Sequence, residues 1–120
     1  MQATETAWAG GLFEGEGCFG LYSSGKRSFD RLNANVTSTD RDVLERFLAA
    51  VGFGSITGPW PGTNKPRYRW TAHSFERFQA LGAMLWPYLG ERRRAKFHDC
   101  ITTYVASPRR GRGRRTDRGR

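Results

Sequence analysis

A chain of 120 residues has room for one domain, and 38% apolar with 13% aromatic content closes a modest core without disulfide staples. The formal net charge of +9 exceeds what solubility requires and points to a polyanionic partner, either nucleic acid or an anionic membrane surface. No run approaches the roughly 20 apolar residues of a membrane span, no secretory leader pattern opens the chain, and Cys18, Cys100, His73 and His98 lack zinc-ligand spacing. The expectation is an intracellular protein, not secreted, with reduced cysteines and no membrane association.

In chain order, residues 4–15 carry small and apolar side chains at helical spacing, yet four glycines lie between positions 10 and 17. Helix glycines cost about 1 kcal/mol each relative to alanine, so several together mean either a tight packing requirement or a loop. Ala7, Gly11 and Gly15 lie four apart and form a stripe almost without side chains, suited to close approach by another helix. Residues 18–24 and 28–38 read as two strands around the turn-like Gly25-Lys26-Arg27. In the second, Leu32, Ala34 and Val36 alternate with Arg31, Asn33, Asn35 and Thr37, giving one apolar and one hydrogen-bonding face.

Thr39 with Asp42 has the spacing of a capping box, and Val43, Leu44, Phe47, Leu48 and Val51 then fall on one helical stripe ending at Gly52. Two further strands are expected over 54–58 and 67–73, separated by a loop with Pro59, Pro61, Gly62 and Pro66. Tyr68 and Trp70 share one face of the latter, and Arg67, Arg69 and Thr71 the other. Ser74 can cap a helix carrying Phe75, Phe78, Leu81 and Leu85, which Pro87 breaks, and a last helix over 91–106 presents Phe97, Ile101 and Tyr104. Residues 107–120 hold seven arginines against Asp117, a local balance of +6 that leaves the body near +3. So polar a tail cannot offset its ordering entropy, and disorder until bound is expected over 107–120, with the domain itself over 1–106.

The segment Ala9-Gly10-Gly11-Leu12-Phe13-Glu14-Gly15-Glu16-Gly17, preceded by Trp8 and followed by the strand-opening Cys18-Phe19, resembles the motif of the LAGLIDADG homing endonucleases. The order of the remaining elements resembles that family too, including Val51-Gly52-Phe53-Gly54 and the Trp86-Pro87-Tyr88-Leu89 break before a basic helix. The resemblance implies an α+β domain of order αββαββα, whose curved antiparallel sheet forms a DNA-binding saddle and which dimerises through the motif helix. With one motif per chain it implies a homodimer cutting double-stranded DNA at a long pseudo-palindromic site with Mg²⁺ or another divalent cation such as Mn²⁺, and no small-molecule substrate.

Residue by residue, the resemblance places metal on Glu16, where the family usually has aspartate, and a structural duty on Glu14. Carboxylates at a helix C-terminus oppose the macrodipole, and two copies meeting across a two-fold axis become favourable once a cation lies between them. The family's lysine near the scissile phosphate is matched in position by Arg92, with Lys96 as the second choice; general backbone neutralisation is the alternative for this run. The expected dimer contacts are Ala7, Trp8, Gly11, Leu12 and Gly15. Base reading falls to Tyr22, Ser24, Arg31, Asn33, Asn35, Thr37, Arg67, Arg69 and Thr71, because arginine suits guanine and asparagine suits adenine in the major groove. Lys26, Arg27 and Lys65 lie at turns suited to phosphate or outer base contacts. The rival readings are a nucleic-acid-binding protein of this fold without nuclease activity, such as a splicing helper or regulator, and a basic protein coating nucleic acid through its tail.

Overall fold

The computed structural model describes residues 3–23, 31–61 and 65–107. The elements are α1 (Ala3–Glu16), β1 (Gly17–Tyr22), β2 (Arg31–Ser38), α2 (Arg41–Val51), β3 (Ser55–Trp60), β4 (Arg67–Ala72), α3 (Phe75–Leu85), a 3-10 turn (Trp86–Tyr88) and α4 (Glu91–Ala106). The fold is the expected α+β arrangement, with one open four-stranded antiparallel sheet in the order β1-β2-β4-β3. The two strand-strand-helix units therefore meet in the middle of the sheet, where β2 pairs with β4 through Ala34↔Ala72, Val36↔Trp70 and Thr37↔Arg69. Among the described residues no helix is long and apolar enough to cross a membrane.

Local chemistry explains most boundaries. Gly52 ends α2 in the left-handed conformation (φ 89°), its N–H donating to the Leu48 carbonyl at 2.8 Å. The Ser74 hydroxyl caps α3 by accepting from the Arg77 N–H at 3.1 Å, and Pro87 lies in the 3-10 turn just past the helix end. At the start of α2 the expected capping box is absent: Asp40 occupies the N-cap with no side-chain cap bond, and its own N–H donates to the Ser38 hydroxyl at 3.0 Å. The helix begins one residue later than a Thr39 cap would place it. The turn 25–27, and with it Ser24, Lys26 and Arg27, lies outside the described residues.

The strand expected over 54–58 runs on to Trp60. A register shift between Thr57 and Trp60 lets three steps on β3 match two on β4, from Thr57↔Arg69 to Trp60↔Arg67, so the pairing survives a β-bulge at Gly58-Pro59. Gly58 has φ 119°, and a Cβ there would lie 2.7 Å from the Arg67 carbonyl oxygen, so only glycine fits.

Helix α1 forms despite its glycines because tertiary contacts need them. A Cβ on Gly10 would sit 2.4 Å from the Tyr88 Cβ, where the 3-10 turn crosses the helix. The core lies between one sheet face and the helices, with Phe13, Phe19, Val36, Leu44, Phe47, Trp70, Phe78, Leu81 and Leu85 essentially fully buried. Aromatic rings run through it: Phe13 meets Phe19 at 4.8 Å between centroids, Phe19 meets Phe78 at 5.1 Å and Phe97 at 5.2 Å, and Phe47 meets Trp70 edge-on at 4.7 Å. The Trp70 indole N–H donates to the Phe53 carbonyl at 2.9 Å, so the one polar atom of this side chain is satisfied where the ring is dry. Trp70→Ala is expected to cost about 3–5 kcal/mol of unfolding free energy by denaturant titration, a large share of what a small domain has.

Candidate functional site

The last turn of α1 and the first turn of α4 are joined by an exchange of opposite charges. The Glu14 carboxylate Oε1 accepts from the Gly90 N–H at 2.8 Å, at the N-cap of α4, where a negative charge complements the helix dipole. In return Arg93 of α4 donates from Nε and Nη2 to the Glu14 carbonyl oxygen at 3.2 and 3.1 Å. That carbonyl is among the last four of α1, which have no partner within the helix, and a guanidinium is a favourable neighbour for it. Glu14 is thus committed to structure on both its side chain and its backbone.

Glu16, the last residue of α1, is exposed and has no hydrogen bond or ion pair among the described residues. The junction brings the start of α4 to the helix end carrying this carboxylate. Arg92 and Lys96 are exposed on that helix, also without a partner among the described residues; Lys96 lies one turn before Cys100, whose thiol burial pushes above its usual range. Arg93 was not singled out in the sequence, because in the run Arg92-Arg93-Arg94 nothing distinguishes the residue whose helical position faces α1. Arg94 is also committed, donating to the Trp86 carbonyl at 2.8 Å with its guanidinium 5.1 Å from the Trp86 ring centre.

Among the described residues, no element covers one long side of α1. Cβ atoms built on Gly11 and Gly15 would meet nothing within 4 Å, in contrast to Gly10 and Gly17, which face Tyr88 and Phe13. Ala7 is half-buried on this side. Trp8 is held within the chain: the Arg46 guanidinium of α2 lies 3.9 Å from its ring centre and forks onto the Glu5 carboxylate at 2.9 and 2.8 Å. The hydrogen bonds from Arg46 hold the Glu5 carboxyl below its ordinary value of 4.5. Leu12 is partly buried against the core.

The sheet separates its two faces by alternation. Leu32, Ala34, Val36, Trp70, Ala72 and Phe19 turn to the helices, and the opposite face carries Arg31, Asn33, Asn35 and Thr37 of β2 with Arg67, Arg69 and Thr71 of β4. Some of these side chains are already ordered against one another. Asn35 Nδ2 donates to Asn33 Oδ1 at 2.8 Å, Asn33 Nδ2 lies 3.2 Å from His73 Nδ1, and Arg69 Nε donates to the Thr37 hydroxyl at 3.3 Å. Tyr22 is half-exposed, with its hydroxyl folded back over Gly20, and Lys65 is exposed. The polar face gains His73, Cys18, Ser55 and Thr57 beyond the expected set; His73 continues the two-residue period of Arg67, Arg69 and Thr71, which was the available signal.

Among the described residues no three His, Cys, Asp or Glu side chains gather as a metal-ligand set. A cation at Glu16 would therefore need oxygen ligands from outside this single chain. Arg93→Met is expected to cost about 1–3 kcal/mol by thermal or denaturant unfolding, since it orphans a part-buried carbonyl, whereas Arg92→Met stays within about 0.5 kcal/mol.

No protein-family model and no curated protein sequence matches the chain. Solved structures do. The homing endonuclease I-CvuI, in complex with its target in the presence of calcium, superposes with a TM-score of 0.66 at 18% identity over 82% of this chain and 64% of that one. The archaeal intron-encoded homing endonuclease I-Vdi141I, complexed with DNA, gives a TM-score of 0.67 at 21% identity over 85% of this chain and 69% of that one. The LAGLIDADG meganuclease I-AabMI, bound to uncleaved DNA, gives 0.63 at 26% identity over 82% of this chain and 35% of that one. The chain thus spans less than two thirds of I-CvuI and about a third of I-AabMI. The chain therefore has the fold of these LAGLIDADG homing endonucleases.

Proposed function

We propose that the chain is a site-specific double-stranded DNA endonuclease that works as a homodimer and hydrolyses phosphodiester bonds with a divalent metal, Mg²⁺ or Mn²⁺. The observation that carries the reading is the division between the two motif carboxylates. Glu14 is engaged by the α4 N-terminus, while Glu16, two residues on, is exposed and, among the described residues, unpaired.

Helix α1 supports a dimer. Its apolar and small residues are spread around the whole circumference, whereas those of α2 lie on one stripe. A helix apolar all round calls for cover on both sides, and the own core supplies only one. The open Gly11/Gly15 side leaves room for a second α1 at short range, which would bring two Glu16 carboxylates near one axis and supply oxygen ligands that the described residues of one chain do not gather. A divalent cation bound there would supply charge neutralisation at the phosphate and acidify a water. Glu16 would hold that cation. Arg92, with Lys96 a turn behind it, offsets charge on the phosphate as its oxygens become more negative. Arg93 and Glu14 hold the end of α1 in register with α4.

The polar sheet face then takes the major groove. Arg31, Arg67 and Arg69 present guanidinium forks, and Asn33 and Asn35 present amides whose orientation is limited by the contact of Asn33 with His73 and of Asn35 with Asn33. Tyr22, Thr37 and Thr71 fill the spaces between them; Lys65 neutralises phosphate at the margin, a duty that Ser24, Lys26 and Arg27 share from outside the described residues. Each subunit reads one half-site and cuts one strand.

Two outcomes test this. Glu16→Gln is expected to abolish cleavage of a plasmid library in Mg²⁺ while leaving binding of the preferred sequence unchanged; cutting at the wild-type rate would remove Glu16 from the chemistry. Gly11→Leu and Gly15→Leu are each expected to sediment as monomers and to lose cleavage, and an intact dimer in either would place the interface elsewhere.

A further inference from the structure

Three of the four tryptophans have partners within the chain: Trp8 lies under Arg46, Trp70 donates to Phe53, and Trp86 packs on Phe97 and under Arg94. Trp60 is different. It is 50% exposed, and among the described residues its ring and its indole N–H have no partner. It ends β3, an edge strand of the sheet, at the same end of the sheet from which α1 departs.

Its direction is set by the bulge. Plain alternation from Ile56, which faces the helices opposite Trp70, would turn Gly58 and then Trp60 toward the helices as well. The additional residue at Gly58-Pro59 reverses this, so Trp60 pairs with Arg67 on the side that carries Thr57, Arg69 and Thr71. A Gly58 that tolerates no side chain fixes the reversal. The fold thus places an indole on the polar face, cross-strand from the exposed Arg67, where unbulged alternation over the same residues would have turned it toward the helices.

We propose that Trp60 is a DNA-contact residue, its indole covering an apolar group of duplex DNA, a thymine methyl or a deoxyribose, next to the bases or phosphates engaged by Arg67 and Arg69. The inference rests on the reading of this face as a DNA surface. Neighbouring guanidinium groups bring the polyanion to the ring, and the ring excludes water from their contacts, as an aromatic at an interface centre does.

The test uses the full chain and a duplex that the wild type enriches from a randomised library, in Ca²⁺ to follow binding alone. Trp60→Ala is expected to weaken binding by about tenfold and Trp60→Phe by much less, the usual scale for a tryptophan anchor. Both variants should unfold at the wild-type midpoint and sediment as the wild type does. Replacing thymine by deoxyuridine at each position of the duplex separates the two apolar groups: one replacement that weakens the wild type but not Trp60→Ala marks a methyl contact, and none marks deoxyribose. Equal affinity of Trp60→Ala and wild type overturns the contact while leaving the DNA-binding reading intact, and a changed oligomeric state of Trp60→Ala assigns the ring to a protein contact and overturns it as well. Failure of the wild type to enrich any duplex overturns both.

Discussion

The Phe13 ring is the contact on which the rest of the molecule depends. It projects from the glycine-rich helix, meets Phe19 of the first strand at 4.8 Å and Phe47 of α2 at 6.3 Å, and lies so close over Gly17 that no Cβ fits there. One side chain thereby fixes where α1 stops, how the sheet begins and which way the helix rolls. The roll decides that Gly10 turns inward to Tyr88 and that Gly11 and Gly15 turn outward. Intrinsic propensity opposes this helix, and aromatic burial on the order of 2–3 kcal/mol per ring outweighs it.

Around that anchor the two helix termini neutralise each other. Glu14 gives its carboxylate to the start of α4 and receives Arg93 at its carbonyl, so each dipole end meets the opposite charge. Two acidic residues separated by one glycine come to have unlike surroundings, one half-buried with its carboxylate bonded to the α4 N-cap, the other exposed. Chemistry that needs an uncommitted carboxylate has a single choice at this helix end.

Alternation and capping residues made much of the fold legible in the sequence. The β2 pattern of Leu32, Ala34 and Val36 against Arg31, Asn33, Asn35 and Thr37 predicts both faces correctly, and Gly52, Ser74 and Pro87 mark helix ends because their backbone or hydrogen-bonding constraints are local. The extent of β3 was hidden, since Pro59 and Gly58 read as loop and only pairing with Arg67 shows the strand continuing through a bulge. Thr39 carried a cap signal that lost to a helix start at Arg41. Arg93 was hidden among three consecutive arginines, because its role depends on the angle at which α4 meets α1, and angles between helices are not local properties. The capture of Trp8 by Arg46 was hidden for the same reason.

The outer face of the sheet contributes little to holding the domain together, since its side chains are half-buried or exposed and the core lies behind it. Most of its positions can therefore be exchanged at small cost in stability, within about 0.5 kcal/mol each. Such a face can change its hydrogen-bonding pattern while the scaffold stays as it is. The exception is the row of Asn35, Asn33 and His73, whose side chains are strung together by contacts of 2.8 and 3.2 Å. A change in one member alters the amide orientation of the next, so the three are coupled positions, whereas Arg31 and Arg67 can vary singly.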